Sequence, residues 1–177
     1  MNLPPLPEKE EDRLQALIKY QVLDTQEEAA FDNLTALAAK ICHTPIALIS
    51  LVDKNRQWFK SKFGLEATET PRELAFCAHA ICQTQDVFIV PNAEEDERFA
   101  DNPLVVSEPN VIFYAGVPLV TPDGFAIGTL CVIDNKPRNI SLERIQSLQT
   151  LSIQIISQLE ARVNLIKLKQ NVIHRKI

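Results

Sequence analysis

The chain has 177 residues, of which 46% are hydrophobic, and a formal net charge of −5 from 18 basic and 23 acidic residues. A chain of this size buries roughly 70% of its unfolded surface, enough for a core without disulfides or a structural metal, so disorder throughout is excluded. The acidic balance argues against a nucleic-acid partner, which would call for a basic face, and no apolar run reaches the roughly 18 residues of a membrane span.

The first seven residues hold three prolines and lack the basic-then-apolar order of a signal peptide. Four cysteines, Cys42, Cys77, Cys82 and Cys131, in a long chain without that signal point to reduced thiols and a cytoplasmic location. Glu8–Tyr20 places Leu14, Leu17 and Ile18 on one side and predicts a short amphipathic helix. Thr25 with Glu28 three residues later predicts a capping box for a second helix. That helix carries Phe31, Leu34, Leu37, Ala38 and Ile41 on one face and stops before Pro45. Residues 45–53 and 56–63 predict a hairpin, 65–71 a loop, 73–83 one short helix and 86–90 a short strand. The acidic stretch 93–101 predicts a surface turn or short helix. Residues 111–120 and 125–134 flank Thr121-Pro122-Asp123-Gly124, the clearest hairpin. Ser141 caps a final helix that has no internal glycine or proline and runs toward residue 177. Short turns between strands imply an antiparallel sheet, so the fold class is α+β, with helices packed on one sheet face.

In the long helix, Ile156, Leu159, Val163, Ile166, Gln170 and Ile173 recur at spacings of three and four, a coiled-coil seam with one polar position. Ile145, Leu148, Leu151 and Ile155 suit packing on the same domain, so the first half packs at home and the second half pairs with another subunit.

Phe76-Cys77-Ala78-His79-Ala80-Ile81-Cys82 is the most unusual stretch. A zinc site wants four ligands in paired short spacings, and here there is one cluster without a second pair; core cysteines beside a cavity-lining His79 fit better than a metal. A thiol catalyst or redox switch needs a stabilised, accessible thiolate; Cys77 early in a short helix with Arg72 upstream partly fits. The acidic run Glu94–Glu97 reads as a solvated face, and only four glycines leave no room for a phosphate loop. Eight phenylalanines, one tryptophan and two tyrosines are few, and several cluster as core or as the lining of a cavity over the sheet.

Several phrases stand out together: Leu23-Asp24-Thr25 with Phe31-Asp32, Ala47–Asp53 followed by Arg56–Ser61, Glu69–Arg72, Phe76–Ile81, Asp96-x-Arg98-Phe99 with Asn102–Val105, Phe113–Leu119, and Gly128–Asp134 with Pro137-Arg138. Together they resemble the GAF domain, the small-molecule-sensing module of bacterial signalling proteins, and in particular the subgroup ahead of histidine kinase or diguanylate cyclase domains. The resemblance implies a GAF/PAS-like central antiparallel sheet flanked by helices, with a ligand pocket under the loops on the face opposite them. It implies an extension with a short helix over residues 1–22, a GAF domain over 23–160 and a signalling helix over 161–177. It also implies a homodimer through terminal helices, a relay to an output domain, and two-component or cyclic-dinucleotide signalling. The expected pocket is lined by Trp58, Phe76, Cys77, His79, Phe99 and Tyr114, with no catalytic or metal residue assigned. The ligand is unknown: the cyclic-nucleotide pattern does not place here, and the Cys-His pair of bilin-binding relatives occurs only at Cys42-His43, ahead of the first strand. The alternative is a thiol-based redox sensor, or an enzyme like the free methionine sulfoxide reductase branch, using Cys77 or Cys82.

Overall fold

A computed structural model describes residues 1–176; Ile177, the last residue of the expected helical extension, lies outside them. Helices α1 (Glu10–Ile18) and α2 (Ala29–Cys42) precede strands β1 (Ile46–Val52), β2 (Arg56–Phe63) and β3 (Glu69–Pro71). Helix α3 (Phe76–Ala80), strand β4 (Phe88–Val90), helix α4 (Pro103–Val106), strands β5 (Phe113–Val120) and β6 (Ala126–Asp134), and helix α5 (Leu142–His174) follow. The strands form one antiparallel sheet in the order β3-β2-β1-β6-β5-β4. Every residue of β1 and β6 is buried, because both faces of the sheet are covered.

One face packs against α2 and α5, with Leu17, Tyr20 and Val22 joining from the N-terminal segment. The opposite face is also closed. Phe76, Cys77 and Ala78 of α3, Val105 of α4, and Phe99 from the turn before α4 pack there on Leu48, Tyr114, Cys131 and Ile133. The expectation of helices on one face only is therefore corrected: short helices fill the other.

Several local expectations change for physical reasons. The capping box at Thr25 does not form. Asp24 has φ 61°, the Thr25 hydroxyl donates to Val22 O at 2.5 Å, and α2 begins after Glu28, which makes no side-chain cap. Both side chains are taken by a cation instead: the buried Lys60 ammonium donates to Thr25 Oγ1 at 2.9 Å and pairs with Glu28 at 2.5 Å. Helix α2 ends where expected, with His43 at φ 52° and Thr44 N–H returning to Ala39 O at 3.1 Å. The expected single helix over 73–83 splits into a turn at 72–74 and α3, because Ala75 is extended. Part of the expected 65–71 loop is β3, paired with β2. Helix α4 was not foreseen, although Asn102-Pro103 is a cap followed by proline at the first helical position, and Asn102 Oδ1 accepts from Leu104 N at 2.9 Å. Ser141 caps α5 as expected, accepting from Arg144 N at 3.3 Å.

Helix α5 is 33 residues long, about 50 Å at 1.5 Å per residue. Leu148, Leu151, Ile155, Leu159 and Val163 are all core. Two members of the expected seam, Leu159 and Val163, thus pack at home, and Ile156 packs against the same cluster. They point inward because they continue the helix face that starts at Leu148. Ile166 is half-buried, and Gln170 and Ile173 are exposed. A different stripe faces solvent where the helix leaves the body: Ala161, Leu165, Leu168 and Val172, at spacings of four, three and four. Nearer the sheet the same stripe is polar, through Gln154, Ser157 and Gln158.

Candidate functional site

Five of the six expected pocket residues converge on the face covered by α3. The break at Ala75 lets α3 lay Phe76 flat on Phe99, with ring centroids 4.0 Å apart and planes 10° apart. Tyr114, from β5, tilts against Phe76 at 5.2 Å, and His79 meets Phe99 edge-on at 4.8 Å. Phe88 of β4 stands edge-on to Phe99 and Tyr114 at 6.2 and 6.0 Å. The Arg98 guanidinium lies over Phe88 and Phe99 at 5.0 and 5.2 Å. Gly116 is required here, since a Cβ at that position would collide with the Tyr114 ring.

Trp58 does not join them. Side chains alternate along β2, so Gln57 and Phe59 face α3 while Trp58 enters the core under α2 and α5. That alternation was available in the sequence, where Trp58 and Phe59 are adjacent and cannot share a face.

The expected pocket is occupied by its own side chains. Phe76, Cys77, Phe99 and Tyr114 are each no more than 3% exposed, and stacked rings fill the space. Their chemistry is correspondingly quiet. Burial, together with the neighbouring Cys131, raises the Cys77 thiol well above its usual range, against the pull of Arg72 and Arg13. The same thiol donates to Gln57 Oε1. Burial likewise raises the Tyr114 phenol, which pairs with Thr129 Oγ1 at 3.1 Å. Burial and then Arg98 lower the pKa of His79, against Asp96 and a contact from Asn2. Cys77 therefore lacks the accessible thiolate that a nucleophile or redox switch needs. Cys82 is the exposed thiol, donating toward Pro5 O at 3.3 Å and Ala78 O at 3.4 Å.

Open cavities lie elsewhere, the most voluminous, 500 Å³, between Asn33–Lys40 of α2 and Phe63. One of 480 Å³ runs between Thr84–Val87, the outer end of β5 and Gln149, Ser152, Ile153 and Ile156 of α5. It opens where the β4–β5 ladder stops at Phe88 and Gly116, two residues before Pro118, which has no N–H for a ladder. A more polar one of 410 Å³ lies between the start of α1, Cys82 and the β5–β6 turn.

Charged clusters, not read from the sequence, tie the elements together. Glu10 receives Arg13 at 2.7 and 2.9 Å and Arg72 at 2.5 Å. Glu28 joins Lys60 of β2 to Arg162 of α5 at 2.9 Å. Arg162 also donates to Gln21 O at 3.3 Å, and the buried Tyr20 hydroxyl donates to Glu160. These last contacts clamp α5 to the N-terminal segment at the point where it leaves the body. The Glu10–Arg13 pair at i and i+3 was the legible part of this network; the rest joins residues from 32 to 141 positions apart.

The fold is a six-stranded antiparallel sheet with a long terminal helix on one face and short helices closing the other, and residues 26–159 match the GAF domain family. The chain belongs to that family. It is 44% identical over 144 residues to a cyclic di-GMP phosphodiesterase of Pseudomonas aeruginosa, a match that takes in 81% of this chain and 24% of that protein. The chain thus spans about a quarter of the length of this curated relative. Among solved structures it is similar to the GAF domain of an Acinetobacter phosphoenolpyruvate-protein phosphotransferase (TM-score 0.60, 20% identity, 87% of this chain and 94% of that one). It is also similar to the free methionine-R-sulfoxide reductase of Neisseria meningitidis (0.60, 18%, 84% and 87%). A third is the blue-light-absorbing form of the PixJ GAF domain of Thermosynechococcus elongatus (0.58, 15%, 91% and 95%). At these identities the structures share the fold. No helix among the described residues is long and apolar enough to cross a membrane.

Proposed function

We propose that the chain is a regulatory GAF module that relays a signal along α5 to an output domain, as a parallel homodimer, without catalysis of its own. One observation carries the reading. Helix α5 is core through Val163 and then presents Leu165, Leu168 and Val172, 54%, 62% and 54% exposed, in a regular stripe. An apolar stripe that begins where the helix leaves the body suits a second copy of the same helix. The seam is accordingly assigned to Ala161, Leu165, Leu168 and Val172, with Ile166 and Ile173 on its flank. The sensory unit is taken as residues 23–160 with the preceding segment packed into it, and residues from 161 onward as the relay. The likeness to a phosphodiesterase of cyclic di-GMP, of which this chain spans a quarter, favours an output domain of cyclic-dinucleotide signalling over a kinase.

A relay of this kind requires that a ligand prefer one arrangement of the helix over another. The 480 Å³ cavity is the better placed to do this, because α5 lines it directly, whereas the aromatic cluster is filled. Analytical ultracentrifugation tests the dimer. The wild-type chain is expected to sediment as a dimer at micromolar concentration, and Leu165→Glu/Leu168→Glu as a folded monomer with an unchanged circular-dichroism melt. A wild-type monomer across the whole range would defeat the proposal.

A further inference from the structure

Two guanidiniums, Arg13 and Arg72, are buried around one carboxylate. Arg13 is 1% exposed and Arg72 7%. Glu10 answers one of the two charges. Arg72 also donates to the carbonyls of Asp53 and Lys54, which are neutral. Each guanidinium keeps a buried nitrogen, Arg13 Nη1 and Arg72 Nη2, that no acceptor reaches among the described residues. A buried cation without a matching charge is costly and calls for an anion.

Arg13 lines the 410 Å³ polar cavity, beside Lys9, Cys82 and the Asp123–Gly124–Phe125 turn. Glu8 and Asp123 also line it, but both are exposed, and water screens them more than it screens Arg13. A Cβ at Gly124 would meet nothing within 4 Å, so the turn stands open toward solvent. Burial raises the Cys82 thiol, Arg72 and Arg13 act against that rise, and Glu10 acts with it.

We propose that the cavity lined in part by Arg13 binds a small oxyanion, a carboxylate or a phosphate group, that completes the charge of the Glu10–Arg13–Arg72 cluster. The fork of Arg13 suits a planar or tetrahedral oxyanion, and Lys9 at the rim adds a second donor. Residues 7–9, which lead into α1, form one wall, so a bound anion would hold the N-terminal segment against the β5–β6 turn.

Cys82 reports occupancy, because it is the exposed thiol and lies on the cavity wall, while Cys42, Cys77 and Cys131 are buried. Its alkylation by iodoacetamide would be followed by mass spectrometry in sodium phosphate, sodium acetate and sodium chloride at equal ionic strength. At about ten times Kd, phosphate or acetate is expected to slow the reaction about tenfold relative to chloride. Protection by phosphate alone assigns a phosphate site, and protection by acetate a carboxylate site. Equal rates in all three salts would overturn the proposal. Arg13→Met is expected to abolish the protection, and a folded Arg13→Met protein that keeps it would also overturn the proposal. Should that variant not fold, Lys9→Met, on the exposed rim, is expected to weaken protection severalfold, and the salt comparison on the wild-type chain still decides.

Discussion

Phe99 is the centre of an aromatic cluster. It contacts Phe76, His79 and Phe88 and lies under the Arg98 guanidinium, at the centre of the face where a GAF pocket was expected. It is 1% exposed, so Phe99→Ala should cost about 3–5 kcal/mol, read as a lower chemical-denaturation midpoint. A small aromatic added to that variant should restore part of the loss by filling the space, and a melt unmoved by Phe99→Ala would show that the stack is not a core element.

Glu10 is informative in a different way. Burial alone would raise its pKa, but the hydrogen bonds and charges of Arg13 and Arg72 hold it down at about 2. A carboxylate depressed on folding stabilises the protein above its unfolded pKa, and that stabilisation fades as pH falls through the folded value. Stability should therefore drop by about 2 kcal/mol between roughly pH 5 and pH 2. Glu10→Gln should flatten that acid limb and lower stability at neutral pH by about 2–3 kcal/mol, since both guanidiniums then lose their partner. Denaturant melts across that pH range test both; an unchanged acid limb in Glu10→Gln would mean that the pair is solvated.

At the scale of elements, the junction between the N-terminal segment, β2 and α5 turns on Glu28. Lys60 is fully buried on the side chain, and Glu28 supplies its counter-charge while also binding Arg162. Glu28→Ala should cost about 1–3 kcal/mol, because Lys60 keeps Thr25 Oγ1 and Gln26 O as acceptors. Glu28→Gln should cost less, and hydrogen exchange should report loosening at the middle of α5 in the alanine variant. Protection in α5 equal to that of the wild-type chain would remove Glu28 from the clamp.

The same junction explains what the sequence could and could not tell. The two hairpins, the stop of α2 and the cap of α5 rest on short-range signals: strand alternation, Pro45, the Pro122–Gly124 turn and Ser141. The start of α2 failed because the capping pair Thr25 and Glu28 is recruited by Lys60, 35 and 32 positions away in sequence, and tertiary charge outweighs a local cap worth about 1 kcal/mol. Five of the six pocket residues were legible as one constellation from their phrases. That they would fill the space rather than line it depends on the Ala75 break and on the 4.0 Å stack, neither of which has a local signature.

For the whole molecule, α5 unites two roles that a periodicity of three and four cannot separate. Leu159 and Val163 look as suitable for a partner helix as Leu165 and Leu168 do, and only the position of the body tells them apart. The N-terminal segment matters for the same reason: Leu17, Tyr20 and Val22 complete the core on which α5 rests, so residues before the expected domain start belong to its folded body. A dimer formed through the outer stripe would leave that core undisturbed, which is why charge substitutions at Leu165 and Leu168 should separate association from folding.

The clamp at Tyr20–Glu160 and Glu28–Arg162 has a mechanical side. Beyond Val163 the helix continues for about 16 Å to His174 at 1.5 Å per residue. With the clamp as fulcrum, that length is a lever. A tilt of about 10° at Arg162 carries the tip about 3 Å sideways. A change too slight to disturb the packed core would thereby become a sideways displacement of the far end.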